Sequence, residues 1–257
     1  MQTAWQHLTA AQLNERATAG AMVLLPVAST EQHGPHMATG TDCLLVDEVC
    51  RRAAGRLSAM GVPVVVAPVL WAGLARHHMA FGGSFTLGLA TYQALLTDLG
   101  RSIKEAGFRR LVIVNGHGGN MTALNAMSAE LSHAIGISVA ITTYFQLAEA
   151  ALGPILEDQK GVLHAGEAET SMMLAIRPDL VDKQGLGAAH GPQTERAGAV
   201  LGAALHRWRS FADITASGVI GDARRASAEK GERLLDAAAE TLAGTLALDA
   251  VPTDQES

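Results

Sequence analysis

The sequence predicts an α/β protein with a mostly parallel sheet and helices on both faces, and three observations carry that. Short apolar runs recur at 21–27, 62–70, 111–114 and 137–142. Between them, apolar residues repeat at the helical period. Gly61, Gly107 and Gly136 then close three of those helical stretches, where a left-handed residue is needed. Strand, helix, strand, helix at this rhythm makes βαβ units, whose parallel strands need cover on each face.

Taken in order, residues 1–20 are polar and alanine-rich and predict a short helix and a lead-in, with Trp5 as a packing residue. The run 21–27 is the first buried strand. From Thr41 the pattern turns helical, with Val46, Cys50, Ala53 and Leu57 on one face. The second strand, 62–70, contains Pro63 and Pro68. Proline offers no N–H to a ladder, so this strand belongs at an edge or an end. An aperiodic loop, 71–86, carries Arg76-His77-His78. A helix around Leu95, Leu99 and Ile103 follows, and the third strand, 111–114, runs straight into Asn115-Gly116-His117-Gly118-Gly119-Asn120. The next helix shows Leu124, Met127, Leu131 and Ala134, and the fourth strand is 137–142. Beyond Tyr144 the chain reads as helical: a loop 161–166, a helix 167–177 stopped before Pro178, a glycine-rich stretch 185–192, and a long last helix on Leu235, Ala238, Leu242 and Leu246. The tail 251–257 reads as frayed. No linker and no repeat is visible, so residues 1–257 are expected to form one domain.

A net charge of −6, with no Lys/Arg block beyond isolated pairs, argues against nucleic acid or an anionic membrane as the main partner. No apolar stretch is long enough to span a bilayer, and the N-terminus lacks the basic-then-apolar pattern of a signal peptide. Cys43 and Cys50 fall two turns apart on one helix, too far to bridge. Reduced thiols and a cytoplasmic location are the expectation. Cys43, although next to Asp42, reads as a small packing residue.

Seven of the ten histidines (His33, His36, His77, His78, His117, His164, His190) fall in glycine-rich segments placed on loops. Loops at the strand ends of an open α/β sheet are where sites are built. Glu31 and His33, two apart on extended chain, point the same way. Asp42 returns from a helix start, and His117 follows the third strand. Taken singly, Asp42 would cap its helix and Glu31 would be a surface carboxylate. Taken together, imidazoles and carboxylates at one sheet edge suit zinc, manganese or iron. The Gly-His-Gly-Gly-Asn run also invites a phosphate cradle, but lacks the Lys-Ser/Thr of a P-loop. It invites an esterase oxyanion hole too, but the chain has no Gly-x-Ser-x-Gly. At 164–171, His164 and Glu167 are three apart and can share a helix face. Glu167 and Glu169 also complement the helix dipole there.

Ser29-Thr30-Glu31-Gln32-His33-Gly34-Pro35-His36, Thr41-Asp42, Asn115 to Asn120, His164 to Ser171, and a later Gly221-Asp222 with Ala228-Glu229-Lys230-Gly231 together resemble the creatininase (creatinine amidohydrolase) family. The likeness runs in order from about residue 21 to 231. It implies a three-layer α/β/α fold and a hydrolase with two divalent metal ions, zinc with manganese or iron as alternatives, often built as a hexamer. By motif position Glu31 and His117 would hold one metal, His33 the other, and Asp42 would bridge them. The family's namesake has a glutamate two residues after the equivalent of His117. Here that position is Gly119, so Glu167 becomes the candidate replacement and Glu169 the fallback. His164 matches the catalytic histidine. His77 and His78, with the backbone of Gly118 and Gly119, would surround the substrate.

Two departures point away from creatinine itself. Ala75 stands where the namesake has a substrate-contacting serine, and no tryptophan lies between Tyr144 and His164. The resemblance therefore implies hydrolysis of a C–N bond (amide, cyclic amide or formamide) in some other small molecule. The rival reading is a catalytically silent member that binds a small molecule or protein through the same pocket, and Gly119 is the feature that favours it.

Overall fold

The computed structural model describes residues 2–157, 159–192 and 207–250. Strand β1 (Met22–Val27) is buried along its whole length, as expected of a continuous apolar run in a parallel sheet. It pairs with β2 (Val64–Val66) on one side and β3 (Arg110–Asn115) on the other, and β3 pairs with β4 (Ser138–Thr143). All pairs are parallel and the order is β2-β1-β3-β4. Register fixes the site. Val27 lies opposite Asn115, and Asn115 opposite Thr143, so the loops after β1 and β3 leave the sheet at one level.

Alternate residues of β1 feed two cores. Met22 and Leu24 pack with α2 (Thr41–Ala59), α8 (Glu167–Ile176) and α9 (Ala228–Asp249). Val23, Leu25 and Val27 pack with α3 (Leu89–Glu105), α4 (Met121–Ala126) and α5 (Ser128–Ile135), and α1 (Ala10–Thr18) lies against the same core through Leu13 and Ala17. Two short helices, α6 (Tyr144–Leu147) and α7 (Glu149–Leu152), carry the chain away from β4. The result is the expected three-layer α/β/α arrangement. Among the described residues no helix is long and apolar enough to cross a membrane.

Some boundaries differ from the sequence pattern. Of the run 62–70 only three residues are strand, because prolines flank it; it is the sheet's edge, as the prolines implied. The loop 71–86 contains a 3₁₀ turn, Arg76–Phe81. On α3 the buried face is Tyr92, Leu96, Gly100 and Ile103, one step round from Leu95 and Leu99. Gly100 permits that face to approach α5, since a Cβ there would sit 2.3 Å from Ile135 Cδ1. The helix after β3 breaks at Met127, where Ser128 Oγ donates to Asn125 O at 3.1 Å. Ile135, not Ala134, then faces inward. Gly136 ends α5 at φ +73°, the left-handed stop its position predicted. The tail 251–257 and His206 lie outside the described residues.

Candidate active site and metal centre

Asn115 turns the chain at the end of β3. Its buried amide donates to His117 O (2.8 Å) and Thr143 Oγ1 (3.0 Å), and its carbonyl accepts from His117 N–H (3.1 Å). This holds His117 over the sheet edge, facing the loop from β1. Asp42 does not cap α2; Gly40 is the N-cap and takes no side-chain bond. Its carboxylate points into the site instead and divides between two imidazoles. Oδ1 lies 3.1 Å from His33 Nε2, and Oδ2 lies 3.1 Å from His117 Nδ1. Glu31 Oε2 is also 3.1 Å from His117 Nδ1, and Glu169 Oε2 is 3.8 Å from His33 Nε2. All five side chains are buried.

The protons on these rings can be placed by their far nitrogens. His33 Nδ1 donates to Glu31 O (3.1 Å), His117 Nε2 to Leu74 O (3.3 Å) and His164 Nε2 to Gln32 O (2.9 Å). A carbonyl only accepts, so each far nitrogen carries hydrogen and the near nitrogen of the neutral ring presents a lone pair. Those lone pairs face carboxylates, and Glu31 Oε2 and Asp42 Oδ2 are buried without any hydrogen bond. Electron-rich atoms gathered out of water need a cation among them. In the metal-free protein, protons supply it. Burial alone would lower His33, yet Asp42, Glu169 and Glu31 push it up to about 10. His117 rises well above its usual value against the same burial, through Glu31 and Asp42. Burial, with help from Asp42 and Glu31, takes Glu169 to about 7 against the pull of His33. A set of imidazoles and carboxylates fits zinc, manganese or iron.

Among the described residues three groups of ligand atoms converge: Glu31, Asp42 and His117; His33, His164 and Glu169; and Glu31, His78 and His164, with Asp42 between the first two. Glu167, the first candidate for the missing carboxylate, is not among them. Both its oxygens accept from Glu157 N–H (3.1 Å), and it pairs with Lys230 Nζ at 2.7 Å. Residues two apart on a helix point in nearly opposite directions, so only one of the two glutamates can face the sheet edge. Lys230 of α9 claims Glu167, and Glu169 takes the inner place. Ala165 helps to set it there: at φ +54° its N–H donates to Glu169 Oε2 at 2.6 Å. A left-handed alanine is uncommon and is held by its surroundings; here Ala165 is buried, and His164 O accepts from Ile220 N–H at 2.9 Å. The swap has a test. Glu167→Gln is expected to cost about 1–3 kcal/mol of stability in a denaturant melt while keeping the metal content, since it removes one of the two carboxylates that Lys230 pairs with and leaves Glu157. Glu169→Gln is expected to do the reverse.

Gly119 is closed to any side chain. A Cβ there would lie 2.4 Å from His117 Nε2, 2.5 Å from Leu74 O and 2.6 Å from His77 Cε1. His77 fills that space and stacks on His117 at 5.6 Å, and burial with His78 and His117 nearby drops it to about 3. His78 lies inside the cluster, Nε2 3.1 Å from Glu31 Oε1. His36 is buried but turned to Thr170 Oγ1 (2.8 Å), and His190 is exposed.

Sequence reasoning missed three participants. Gln32 sits inside the 29–36 motif, where its position between Glu31 and His33 was the available signal. Phe211 packs on the rings of His77, His78 and His164 at 5.3, 4.1 and 5.0 Å, and Ile220 stands beside it. Neither lies in a recognisable motif. A cavity of about 90 Å³ opens on the cluster, lined by Gly118 and Gly119 and by an apolar wall of Phe145, Val162, Leu163, Phe211 and Ile220.

Comparison with known proteins places the arrangement. The family model described as creatinine amidohydrolase matches residues 6–246. The chain is 35% identical over 221 residues to the mycofactocin precursor peptide peptidase of Mycolicibacterium smegmatis, covering 83% of this chain and 79% of that one. It is 33% identical over 267 residues to the creatinine amidohydrolase of Pseudomonas putida, covering 96% of each. A crystal structure of creatinine amidohydrolase superposes with a TM-score of 0.77 at 30% identity, over 98% of this chain and 99% of that one. Solved creatininases include a Zn–Zn form and a manganese form.

Proposed function

The chain belongs to the creatininase family of amidohydrolases, and on that premise we propose that it is a two-metal hydrolase of C–N bonds in small molecules other than creatinine. One observation carries this: three imidazoles are each anchored by one nitrogen to a backbone carbonyl and turn the other toward buried carboxylates. Glu31, Asp42 and His117 would hold one divalent ion, and His33, Asp42 and Glu169 the other. When bound, such ions lower the pKa of a shared water and polarise the scissile carbonyl.

The chain's own groups do the rest. His164 presents Nδ1 toward the cluster, 3.7 Å from Glu31 Oε1, and burial beside His78 and His33 keeps the ring neutral. That lone pair takes a proton from the attacking water and hands it to the leaving nitrogen, which departs poorly as an anion. Backbone N–H groups of Gly118 and Gly119 steady the carbonyl oxygen as it gains charge. Glu169 removes the reason to regard the protein as silent, because it supplies the carboxylate that Gly119 does not.

The wall narrows the substrate. Among the described residues no Lys or Arg lines the cavity, so a phosphate or carboxylate beside the scissile bond would find no counter-charge. An uncharged amide, cyclic amide or formamide with an apolar substituent suits it better. A peptide with an apolar residue is the second reading, favoured by the similarity to a peptide peptidase. We also infer a cytoplasmic enzyme with free Cys43 and Cys50. Self-association is part of the reading, supported by Trp71 and Phe85, which pack edge to face at 5.3 Å yet stay about half exposed.

The test is turnover of matched amides, formamides, short peptides and creatinine after chelation and addition of zinc, manganese or iron. Apolar-substituted substrates are expected to exceed charged ones by roughly 10-fold or more in kcat/KM, and Phe211→Ala to shrink that margin. Absence of turnover with every metal would leave the silent reading.

A further inference from the structure

We propose that the Gln32 side-chain amide is a positioning residue for this reaction: it fixes the tautomer of His78 and, through that ring, the carboxylate of Glu31. The role rests on the amidohydrolase reading, but the proton map beneath it does not.

Two backbone groups determine which way the amide faces. Gly34 N–H donates to Gln32 Oε1 at 2.9 Å, and Gly218 O accepts from Gln32 Nε2 at 3.0 Å. A flipped amide would set two acceptors together at Gly218 and two donors together at Gly34. Nε2 therefore has one further hydrogen and two ring nitrogens within 2.9 Å, His78 Nδ1 and His164 Nε2. His164 Nε2 already carries its own hydrogen, given to Gln32 O at 2.9 Å. The remaining amide hydrogen goes to His78 Nδ1.

His78 is thereby hydrogen-free at Nδ1 and protonated at Nε2, which lies 3.1 Å from Glu31 Oε1. One oxygen of Glu31 is tied by this N–H, while the other, Oε2, has no hydrogen bond and faces His117 Nδ1. The division gives Glu31 one anchored oxygen and one oxygen for the cation. It also separates His78 from the ligand rings. His33, His117 and His164 hang from carbonyls, so their inward nitrogens are the ones that offer lone pairs once a cation displaces any proton there, whereas His78 hangs from a donor and presents a hydrogen. Proximity alone would group His78 with Glu31 and His164 as metal ligands; its proton makes it a hydrogen-bond donor to a ligand instead.

The experiment uses the full chain with ¹⁵N-labelled histidine, metal-free and then titrated with zinc against a competing chelator. In the wild-type protein the His78 signals are expected to show hydrogen on Nε2 and none on Nδ1. Gln32→Glu keeps the shape but offers His78 only an acceptor, so the tautomer should reverse, and zinc affinity should fall roughly 10–100-fold, as when a partner behind a metal ligand is lost. Gln32→Met offers neither role and should mix the two tautomers. A wild-type His78 bare at Nε2 would overturn the proposal without any variant, and so would a Gln32→Glu protein with unchanged tautomer or unchanged zinc affinity. Failure of the wild-type chain to bind zinc or hydrolyse any amide, with the tautomer as described, would instead count against the hydrolase reading.

Discussion

Asp42→Ala is expected to purify with close to none of the metal, about two equivalents, expected for the wild-type protein, measured by elemental analysis after gel filtration. Among the described residues no other faces both His33 and His117 through separate oxygens at 3.1 Å, so its loss is expected to open both halves of the site together. Proton release on metal uptake checks the same point. In the metal-free protein burial works against His33, but the carboxylates, Asp42 first, push it up to about 10, so at neutral pH it holds a proton that an entering cation must displace. Uptake should therefore release protons and tighten as pH rises toward 10, and the release should shrink in Asp42→Ala. The sign carries over to stability. A raised histidine stabilises the metal-free fold fully below its ordinary 6.5 and loses that contribution as pH climbs through about 10. Thermal melts of chelated protein across that window should fall, while those of metal-loaded protein should hold.

His164→Ala is expected to keep its metals and lose turnover by about 10²–10⁴-fold, the range for removing a group that moves a proton in the transition state. The separation follows from placement. His164 Nδ1 is 3.7 Å from Glu31 Oε1, farther than the 3.1 Å spacings between Asp42 and the two histidines, His33 and His117. Substrates with better leaving groups should recover part of the loss, because they need less help from a proton. An unchanged kcat would remove His164 from the chemistry.

Much of this architecture was legible in the chain itself. Short apolar runs set off by turn residues suit strands of a parallel sheet, and histidine-bearing loops follow three of them, although β4 is only partly buried. Register then does what no local pattern can, placing Val27 beside Asn115 and so Glu31 beside His117. The choice between Glu167 and Glu169 was not legible. Both lie at the start of one helix, and the decision belongs to Lys230, more than sixty residues away. The buried face of α3 was not legible for a related reason: leucines mark a helix as amphipathic, but the tight approach of Ile135 to Gly100 decides which side goes in. Phe211 and Ile220 carry no local signature because a wall needs only bulk and a position in space.

Phe145, Phe211 and Ile220 stand on segments that contribute none of the carboxylate or imidazole groups. Diversification can therefore act on those three side chains, exchanging one clientele for another while the backbone that steadies His164 and Gln32 is kept. A lineage built this way can keep a single hydrolytic engine and repeatedly change what it is fed.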